Sequence, residues 1–259
     1  MTNIAHRQAL IRKATLPAMN LLVHLNPAFT DLDMLALVGL VTAWLGIGVL
    51  IEHPPARLPS VTLLMTQYRR DWMRVFVTRV PRIFDATLID SLRTGTAFFA
   101  STCLIAIGGC LALLGNVSVA QTLAEGLMVG PPVLLQIKLL LVIAFLADAL
   151  LKYVWAHRLF GYCAILMAAV PNDPSDPTAF HRAAQAAEIN ITAARGFNRG
   201  LRSVYFALAA LGWLVGPVGL LVTTALTVAV LARREFASTS RRMLMSDTPP
   251  APGRKAGRP

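Results

Sequence analysis

Several ionisable side chains in this sequence lie within or directly beside long apolar runs, where their chemistry needs an explanation. The stretch ADALLKYVWAHRLFGYC, residues 147–163, continues an apolar run but contains an aspartate, a lysine, a histidine and an arginine. On a helix that turns about 100° per residue, five of its polar and aromatic side chains share a face about 120° wide. We call these five the polar stripe: Asp148, Lys152, Trp155, Arg158 and Tyr162.

The polar stripe supports two chemical interpretations. An ionised side chain in a bilayer costs about 2.5–3.5 kcal/mol on insertion scales unless it is paired or hydrated. In the first interpretation, Asp148 accepts a proton or a cation in a pathway between helices, and Lys152 or Arg158 supplies the counter-charge. In the second, Asp148 and Lys152 form the acid-first i,i+4 pair that helices favour, at the membrane edge, with the aromatic residues in the interface. The sequence leaves both interpretations open.

A second group of candidate binding residues lies in RGFNRGLRSVYF, residues 195–206. We call Arg195, Asn198, Arg199 and Arg202 the arginine cluster. Guanidinium groups beside the start of a helix can bind a phosphate or the headgroup of an anionic lipid. A plain positive anchor beside a membrane span is the alternative, which requires the charges but does not explain the asparagine and the glycines between them.

The composition is that of a multi-pass membrane protein. Of the 259 residues, 56% are hydrophobic and only 14% are charged, and the mean hydropathy is +0.60, whereas soluble domains carry about 25% charged residues. The formal net charge is +11. Because the arginines lie beside apolar runs, this charge favours membrane orientation and anionic lipid over nucleic acid. We therefore expect the lipid bilayer as a partner, and no nucleic acid.

Metal, haem and common enzyme motifs are absent from the sequence. The five histidines are dispersed, no cysteine–histidine group has zinc spacing, and the P-loop, nucleophile-elbow and HExxH patterns do not occur. We expect no cofactor and no metal. A non-enzymatic role is therefore favoured, and an enzyme that uses the arginine cluster on lipid headgroups is the weaker alternative.

Four apolar runs are long enough to cross a bilayer. They are predicted at about residues 34–51, 95–114, 133–156 and 204–231. The fourth run has 28 uncharged residues, and we expect one tilted helix with a kink at Pro217. Within it, the small residues Gly212 and Gly216 predict a close helix contact, with the second span rather than with a second copy.

The segments between and around the spans carry most of the charges. Residues 61–93 alternate apolar and arginine positions at helical spacing, which predicts an amphipathic interfacial helix broken at Pro81; a solvated connector is the alternative. Within this segment, Arg82–Asp85 and Asp90–Arg93 are expected as i,i+3 ion pairs.

Three further segments complete the predicted organisation. We expect an N-terminal interfacial segment over residues 1–30, a cytoplasmic helix over 181–195 and a disordered basic tail over 237–259, with one membrane domain over 31–236.

The distribution of basic residues gives conflicting signals about orientation. Residues 94–137 contain no lysine or arginine, so the loop between the second and third spans should face away from the cytoplasm. With four crossings, the basic tail would then also lie outside, against the positive-inside rule. An odd number of crossings, with Phe160–Val170 re-entering the membrane, would remove this conflict. The sequence leaves the orientation open.

Several strings in this sequence resemble a known family when they are taken together. They are WMRVFVTRVPRIFDATLIDSLR, TAFFAST, GYCAILMAAVP, FNRGLRSVYFALAALGWLVGP and LARREFAS. In order and spacing they are similar to the bacterial and plant membrane-protein family catalogued as domain of unknown function 599, over roughly residues 35–237. The resemblance implies a four-span helical membrane protein, and it supplies no catalytic residues.

These observations together predict an all-α integral membrane four-helix bundle with an amphipathic interfacial helix. We expect it in the bacterial inner (plasma) membrane, as a non-enzymatic component that binds anionic lipid, a membrane-protein partner or a second copy of itself. A small transporter or channel subunit that uses the polar stripe is the main alternative.

Overall fold

The computed structural model describes residues 29–116, 122 and 132–246 of the protein. Within these ranges all regular structure is helical. The helices are α1 (Asp31–Glu52), α2 (Val61–Thr78), α3 (Ile83–Gly115), α4 (Pro132–Ala168), α5 (Ala179–Leu211), α6 (Pro217–Phe236) and α7 (Thr239–Met245), with a 3₁₀ turn over Gly212–Val215. The all-α helical bundle predicted from the sequence is confirmed.

Four helices of the described chain are long and apolar enough to cross a membrane. They lie in Asp31–Glu52, Ile83–Gly115, Leu134–Ala168 and Pro217–Met245. A chain with four such helices is an integral membrane protein. The first three correspond to the predicted first three spans, and α3 and α4 are both longer than predicted.

The long helices α4 and α5 form the centre of the bundle as an antiparallel hairpin. Near the connecting loop, the Cys163 thiol donates to the backbone oxygen of Ala186 at 3.4 Å. At the other end, the Lys138 Nζ lies 5.8 Å from the centre of the Trp213 ring. The last turns of α5 therefore run beside the first turns of α4, deep among the membrane-spanning helices.

The other helices pack around this hairpin. The ring of Phe99 on α3 lies 5.6 Å from the ring of Tyr153 on α4. At the start of α1, the indole nitrogen of Trp213 donates to the Asp33 carboxylate at 2.7 Å. Helix α6 packs along α1, where the Leu221 side chain lies 3.8 Å from a β-carbon placed on Gly39.

Two separate hydrophobic clusters divide the bundle into two parts. One contains Leu40, Phe145, Phe206 and Leu220 among its buried members and joins the membrane-spanning helices. The other contains Met73, Phe76, Ile89, Phe160 and Ala186. We call the part around the second cluster the platform; it comprises α2, residues 83–93, residues 159–168 and residues 179–197. Because α3, α4 and α5 continue through both parts, the platform is an extension of the membrane helices.

The segment predicted to lie in the membrane interface is divided between two helices. Helix α2 ends at Thr78 and α3 begins at Ile83, so the predicted break at Pro81 is confirmed. Met73, Phe76 and Val77 are buried against the platform. Other apolar residues of α2 are exposed, and they are Leu63, Met65, Tyr68 and Val75. Contact of this exposed face with the membrane interface stays a prediction.

The prediction of one kinked helix over residues 204–231 is wrong. Helix α5 ends at Leu211, and α6 begins at Pro217 after a turn in which Gly216 has φ +117°. Glycine adopts this left-handed region without the steric cost that a β-carbon would bring. The Thr223 hydroxyl then donates to the backbone oxygen of Ala209 at 2.7 Å. The uncharged run is therefore a helical hairpin that turns back on itself.

The expected role of the two glycines in this run is also wrong. A β-carbon on Gly212 would lie 2.3 Å from the Thr223 Oγ1, and one on Gly219 would lie 2.4 Å from the backbone oxygen of Gly212. The close contact is thus within the α5–α6 hairpin, not with the second span. Gly216 has no such neighbour within 4 Å and serves the turn itself.

The predicted helix and tail at the charged end also need correction. The predicted helix 181–195 is part of the continuous helix α5. Residues 239–245, predicted to be disordered, form α7, and the Arg241 Nε donates to the backbone oxygen of Pro59 at 2.9 Å. Residues 247–259 of the predicted tail and 1–28 of the predicted N-terminal segment lie outside the described residues.

Candidate functional site

Charged and polar side chains from α1, α4 and α5 meet at one depth of the bundle, and we call this group the polar layer. Its members are Glu52, Asp148, Lys152, Arg199, Arg202 and Ser203. On α1 the layer lies 19 residues after Asp33, which is about 28 Å at helical rise and close to the thickness of a hydrocarbon core. The polar layer therefore marks the boundary between the membrane spans and the platform.

Two arginines of α5 hold one carboxylate at the end of α1. The Arg199 Nε donates to the Glu52 Oε1 at 2.9 Å, and its Nη2 contacts the Oε2. The Arg202 Nη2 contacts the Oε1 of the same carboxylate. The side chains of Glu52 and Arg202 are only 15% and 9% exposed. Such charge-assisted, forked contacts fix the end of α1 against α5.

A second ion pair of the polar layer joins α4 to α5. The Lys152 Nζ lies 2.5 Å from the Asp148 Oδ2, and the Ser203 hydroxyl donates to the same oxygen at 2.5 Å. The ammonium also lies 5.2 Å from the centre of the Trp44 ring on α1. Asp148 thus has its charge partner on its own helix, as the acid-first spacing predicts, and a hydroxyl partner on the next.

The remaining residues of the polar stripe lie apart from this pair. The Arg158 Nη2 donates to the Tyr162 hydroxyl at 2.9 Å. Its guanidinium carbon lies 5.9 Å from the ring centres of both Trp155 and Tyr162. All three side chains are exposed. The polar stripe therefore consists of an inner ion pair and an outer aromatic–arginine group.

The structure does not bring the arginine cluster together around one open site. Arg199 and Arg202 both contact Glu52, whereas the Asn198 amide donates to the Thr62 hydroxyl at 3.5 Å. Arg195 is exposed and makes no hydrogen bond or ion pair with the part of the chain that the structure describes.

Sequence reasoning did not identify Glu52 and Ser203 as members of the site. Glu52 lies 147 residues from Arg199 along the chain, and Ser203 lies 55 residues from Asp148. One signal was present for Glu52, because it is the first acidic residue after an uncharged run long enough to cross the bilayer. Ser203 had no comparable signal.

The two ion pairs predicted between neighbours on α3 are wrong. Asp85 is fully buried and pairs with Arg79 from the end of α2, and the Trp72 indole also donates to it at 2.6 Å. Arg82 instead donates to three backbone oxygens, of Val77, Val170 and Pro171. Arg93 joins no ion pair within the described ranges. Other partners have therefore replaced the Arg82–Asp85 pair, whereas the Asp90–Arg93 pair has not formed.

The platform has its own buried polar contacts. The Arg69 guanidinium contacts the side-chain oxygen of the fully buried Asn190, whose amide lies 3.6 Å from the Cys163 sulfur. Burial lowers the pKa of Arg69, although an arginine still keeps its charge at neutral pH. By contrast, a hydrogen bond to Glu188 raises the pKa of the exposed Arg70.

One surface cavity of the platform is large enough for a small ligand. It has a volume of about 350 Å³ and lies between α2 and α5, where Arg70, Arg74, Phe180 and Glu188 contribute to its lining. No group of three or more histidine, cysteine, aspartate or glutamate side chains that could hold a metal occurs among residues 29–116, 122 and 132–246.

Comparison with known proteins identifies a family but no characterised relative. The sequence model of a family described as "Protein of unknown function, DUF599" matches residues 35–240, a range that includes the polar layer and the whole platform. No curated protein and no solved structure matches the chain. Because the match covers well over half of the 259 residues, the chain belongs to the DUF599 family.

Proposed function

We propose that this protein is a non-enzymatic component of the bacterial inner (plasma) membrane, whose platform binds anionic lipid at the cytoplasmic surface. The observation that carries the proposal is the position of the exposed arginines. The exposed arginines lie in the platform or in segments beside the start of α2, and they are Arg57, Arg74, Arg195, Arg233 and Arg242. The last two are placed there by the contacts of their neighbours Glu235 with Thr62 and Arg241 with Pro59. Basic side chains gathered at one membrane surface attract anionic headgroups, each contributing about 1 kcal/mol.

Contacts at the end of α6 support this one-sided distribution of charge. The Glu235 carboxylate accepts hydrogen bonds from the Thr62 backbone nitrogen at 3.0 Å and from its hydroxyl at 3.2 Å. Arg233 and Arg234 precede Glu235 directly. The end of α6 therefore lies beside the start of α2, on the platform side of the bundle.

This arrangement also favours one orientation in the membrane. Counting the last turns of α5 as a membrane segment gives five crossings, formed by α1, α3, α4, the end of α5 and α6. An odd number puts the loop before α4 outside and the basic chain after α6 inside, so both satisfy the positive-inside rule. A cytoplasm-active reporter fused to the C-terminus is expected to be active, and activity only of an externally active reporter would contradict this orientation.

Purification in mild detergent, followed by mass spectrometry of everything retained, tests the proposed function. We expect anionic phospholipid to remain bound in preference to the zwitterionic lipid of the same membrane. A membrane-protein partner is the alternative occupant of the platform, and its retention without anionic lipid would overturn the lipid proposal. A folded protein that retains neither would overturn both.

A transporter or channel subunit is the second candidate function, because the Asp148 side chain remains 35% exposed despite its ion pair. In this function Asp148→Asn abolishes proton or cation flux in reconstituted vesicles, while the protein remains folded and abundant. Asp90→Asn, at an exposed carboxylate of the platform, serves as the matched control. Equal flux in both variants and the wild-type protein would reject this function.

A further inference from the structure

One arginine at the membrane boundary has no polar partner among the residues that the structure describes. The Arg93 guanidinium forms no hydrogen bond and no ion pair among the described residues, and its Nε is buried. The side chain crosses α4 at Gly161, where a β-carbon would lie 4.0 Å from the Nε. The backbone beneath it is fixed, since the His157 Nδ1 lies 3.2 Å from the Arg93 backbone oxygen. Within the described chain, the groove between α3 and α4 thus holds a cation without an ion-pair partner.

A second arginine is exposed beside this groove. Arg158 and Tyr162 directly follow His157 and Gly161, the two residues of α4 that contact Arg93. The Arg158 guanidinium uses one donor on the Tyr162 hydroxyl and lies against the rings of Trp155 and Tyr162. None of the carboxylates in the described ranges pairs with Arg93 or Arg158. Two guanidinium groups with free donors, Arg93 from α3 and Arg158 of α4, therefore lie at neighbouring faces of α4.

The depth of this group matches that of lipid headgroups. From Gly115 at the far end of α3, Arg93 lies 22 residues back along the helix, or about 33 Å at helical rise, which is close to the hydrocarbon thickness. Residues 94–115 between them contain no charge. Exposed tryptophan and tyrosine beside an uncharged span are typical of the membrane interface. A phosphate at this depth would belong to a lipid of the adjacent leaflet.

We propose that Arg93 and Arg158 bind the phosphate of an anionic phospholipid in the groove between α3 and α4, with Trp155 and Tyr162 against the headgroup. Guanidinium forks match the geometry of phosphate oxygens, and burial of the Arg93 Nε strengthens its contact with a negative charge. This inference deepens the proposed function and rests on it. It assigns the lipid site to Arg93 and Arg158, instead of the arginine cluster predicted from the sequence.

The test compares lipid binding by the full chain and by variants of equal charge change. Delipidated protein is titrated with phosphatidylglycerol or phosphatidylcholine in mild detergent, and bound lipid is counted by native mass spectrometry. Arg93→Gln with Arg158→Gln is expected to weaken phosphatidylglycerol binding about thirtyfold, since each arginine contributes about fivefold. Arg70→Gln with Arg182→Gln is the matched control, because these exposed arginines of the platform already contact the Glu188 carboxylate and the Ala169 backbone oxygen. This control is expected to change binding less than twofold.

Folding of the double variant is not expected to limit the test. Arg93→Gln removes no hydrogen bond within the described protein, and Arg158→Gln removes one exposed hydrogen bond to Tyr162. Arg158→Lys supplies a second measurement, because it keeps the charge without the fork. It is expected to weaken phosphatidylglycerol binding, but less than Arg158→Gln does.

Each outcome separates this inference from the proposed function. Wild-type protein that binds no phosphatidylglycerol preferentially would overturn both. Preferential binding that survives equally in the Arg93/Arg158 variant and in the matched control would overturn the site alone. Glycerol phosphate, a soluble compound with the same phosphate group, is added as a competitor. We expect it not to displace phosphatidylglycerol from the protein. Full competition would show a site for free phosphate compounds and would overturn the lipid assignment.

Discussion

Replacing Glu52 by glutamine removes the negative charge that holds two arginines at the boundary between the membrane spans and the platform. Arg199 is half-exposed, at 50% of its side chain, so it can exchange its lost partner for water. Arg202 is only 9% exposed and keeps an unpaired charge in a buried position. The cost of Glu52→Gln therefore comes mainly from Arg202.

The size of this effect follows from these exposures. Removing one partner of a buried ion pair costs about 3–5 kcal/mol, and the exposed Arg199 places this case at the lower end, near 3 kcal/mol. For a chain of this size, about 1 kcal/mol shifts the thermal midpoint by roughly 2–4 °C. We expect Glu52→Gln to lower the midpoint by about 6–12 °C.

The shift of the thermal midpoint is measured by heating the protein in mild detergent at one fixed rate. Intrinsic tryptophan fluorescence reports the unfolding. Glu188→Gln is the matched control, because the Glu188 side chain is 58% exposed and that of its partner Arg70 is 48% exposed. Such an exposed ion pair contributes less than about 1 kcal/mol to stability. Adding Arg202→Gln to Glu52→Gln should raise the midpoint again, because it removes the unpaired buried charge. Equal shifts for Glu52→Gln and Glu188→Gln would refute the reasoning.

Two further variants test close packing and buried charge by the same measurement. Gly200→Ala is expected to destabilise the protein by about 1–2 kcal/mol, because its β-carbon would lie 2.9 Å from the fully buried Tyr153 ring. Gly196→Ala, whose nearest contact would be 3.5 Å, is expected to be neutral or stabilising, since alanine favours a helix; an equal loss in both would contradict this view of the α4–α5 contact. Asp85→Asn is expected to cost about 2–3 kcal/mol, because it removes the buried carboxylate that accepts hydrogen bonds from an indole and a guanidinium. Asp90→Asn at an exposed carboxylate should leave the midpoint unchanged, and a matching drop there would count against a specific role for Asp85.

Hydropathy predicted the membrane character and the helical class because both depend on local composition. The first three spans and the break at Pro81 follow from uncharged runs and from a residue that cannot continue a helix. The fourth run was different. Its 28 uncharged residues fit either one long helix or a hairpin, and the choice depends on Gly216 and on the packing of Gly219 against Gly212. Composition contains no information about that contact.

The candidate site shows the same division between local and tertiary information. Helical spacing alone predicted the Asp148–Lys152 pair, because both residues lie on one face of one helix. The partners of Arg199 and Arg93 depended on the tertiary structure instead. A carboxylate 147 residues away neutralises Arg199. Arg93 follows an aspartate by three residues, yet it joins no ion pair in the part of the chain that the structure describes. Ion pairing follows the distances between helices, and only the packed bundle sets those distances.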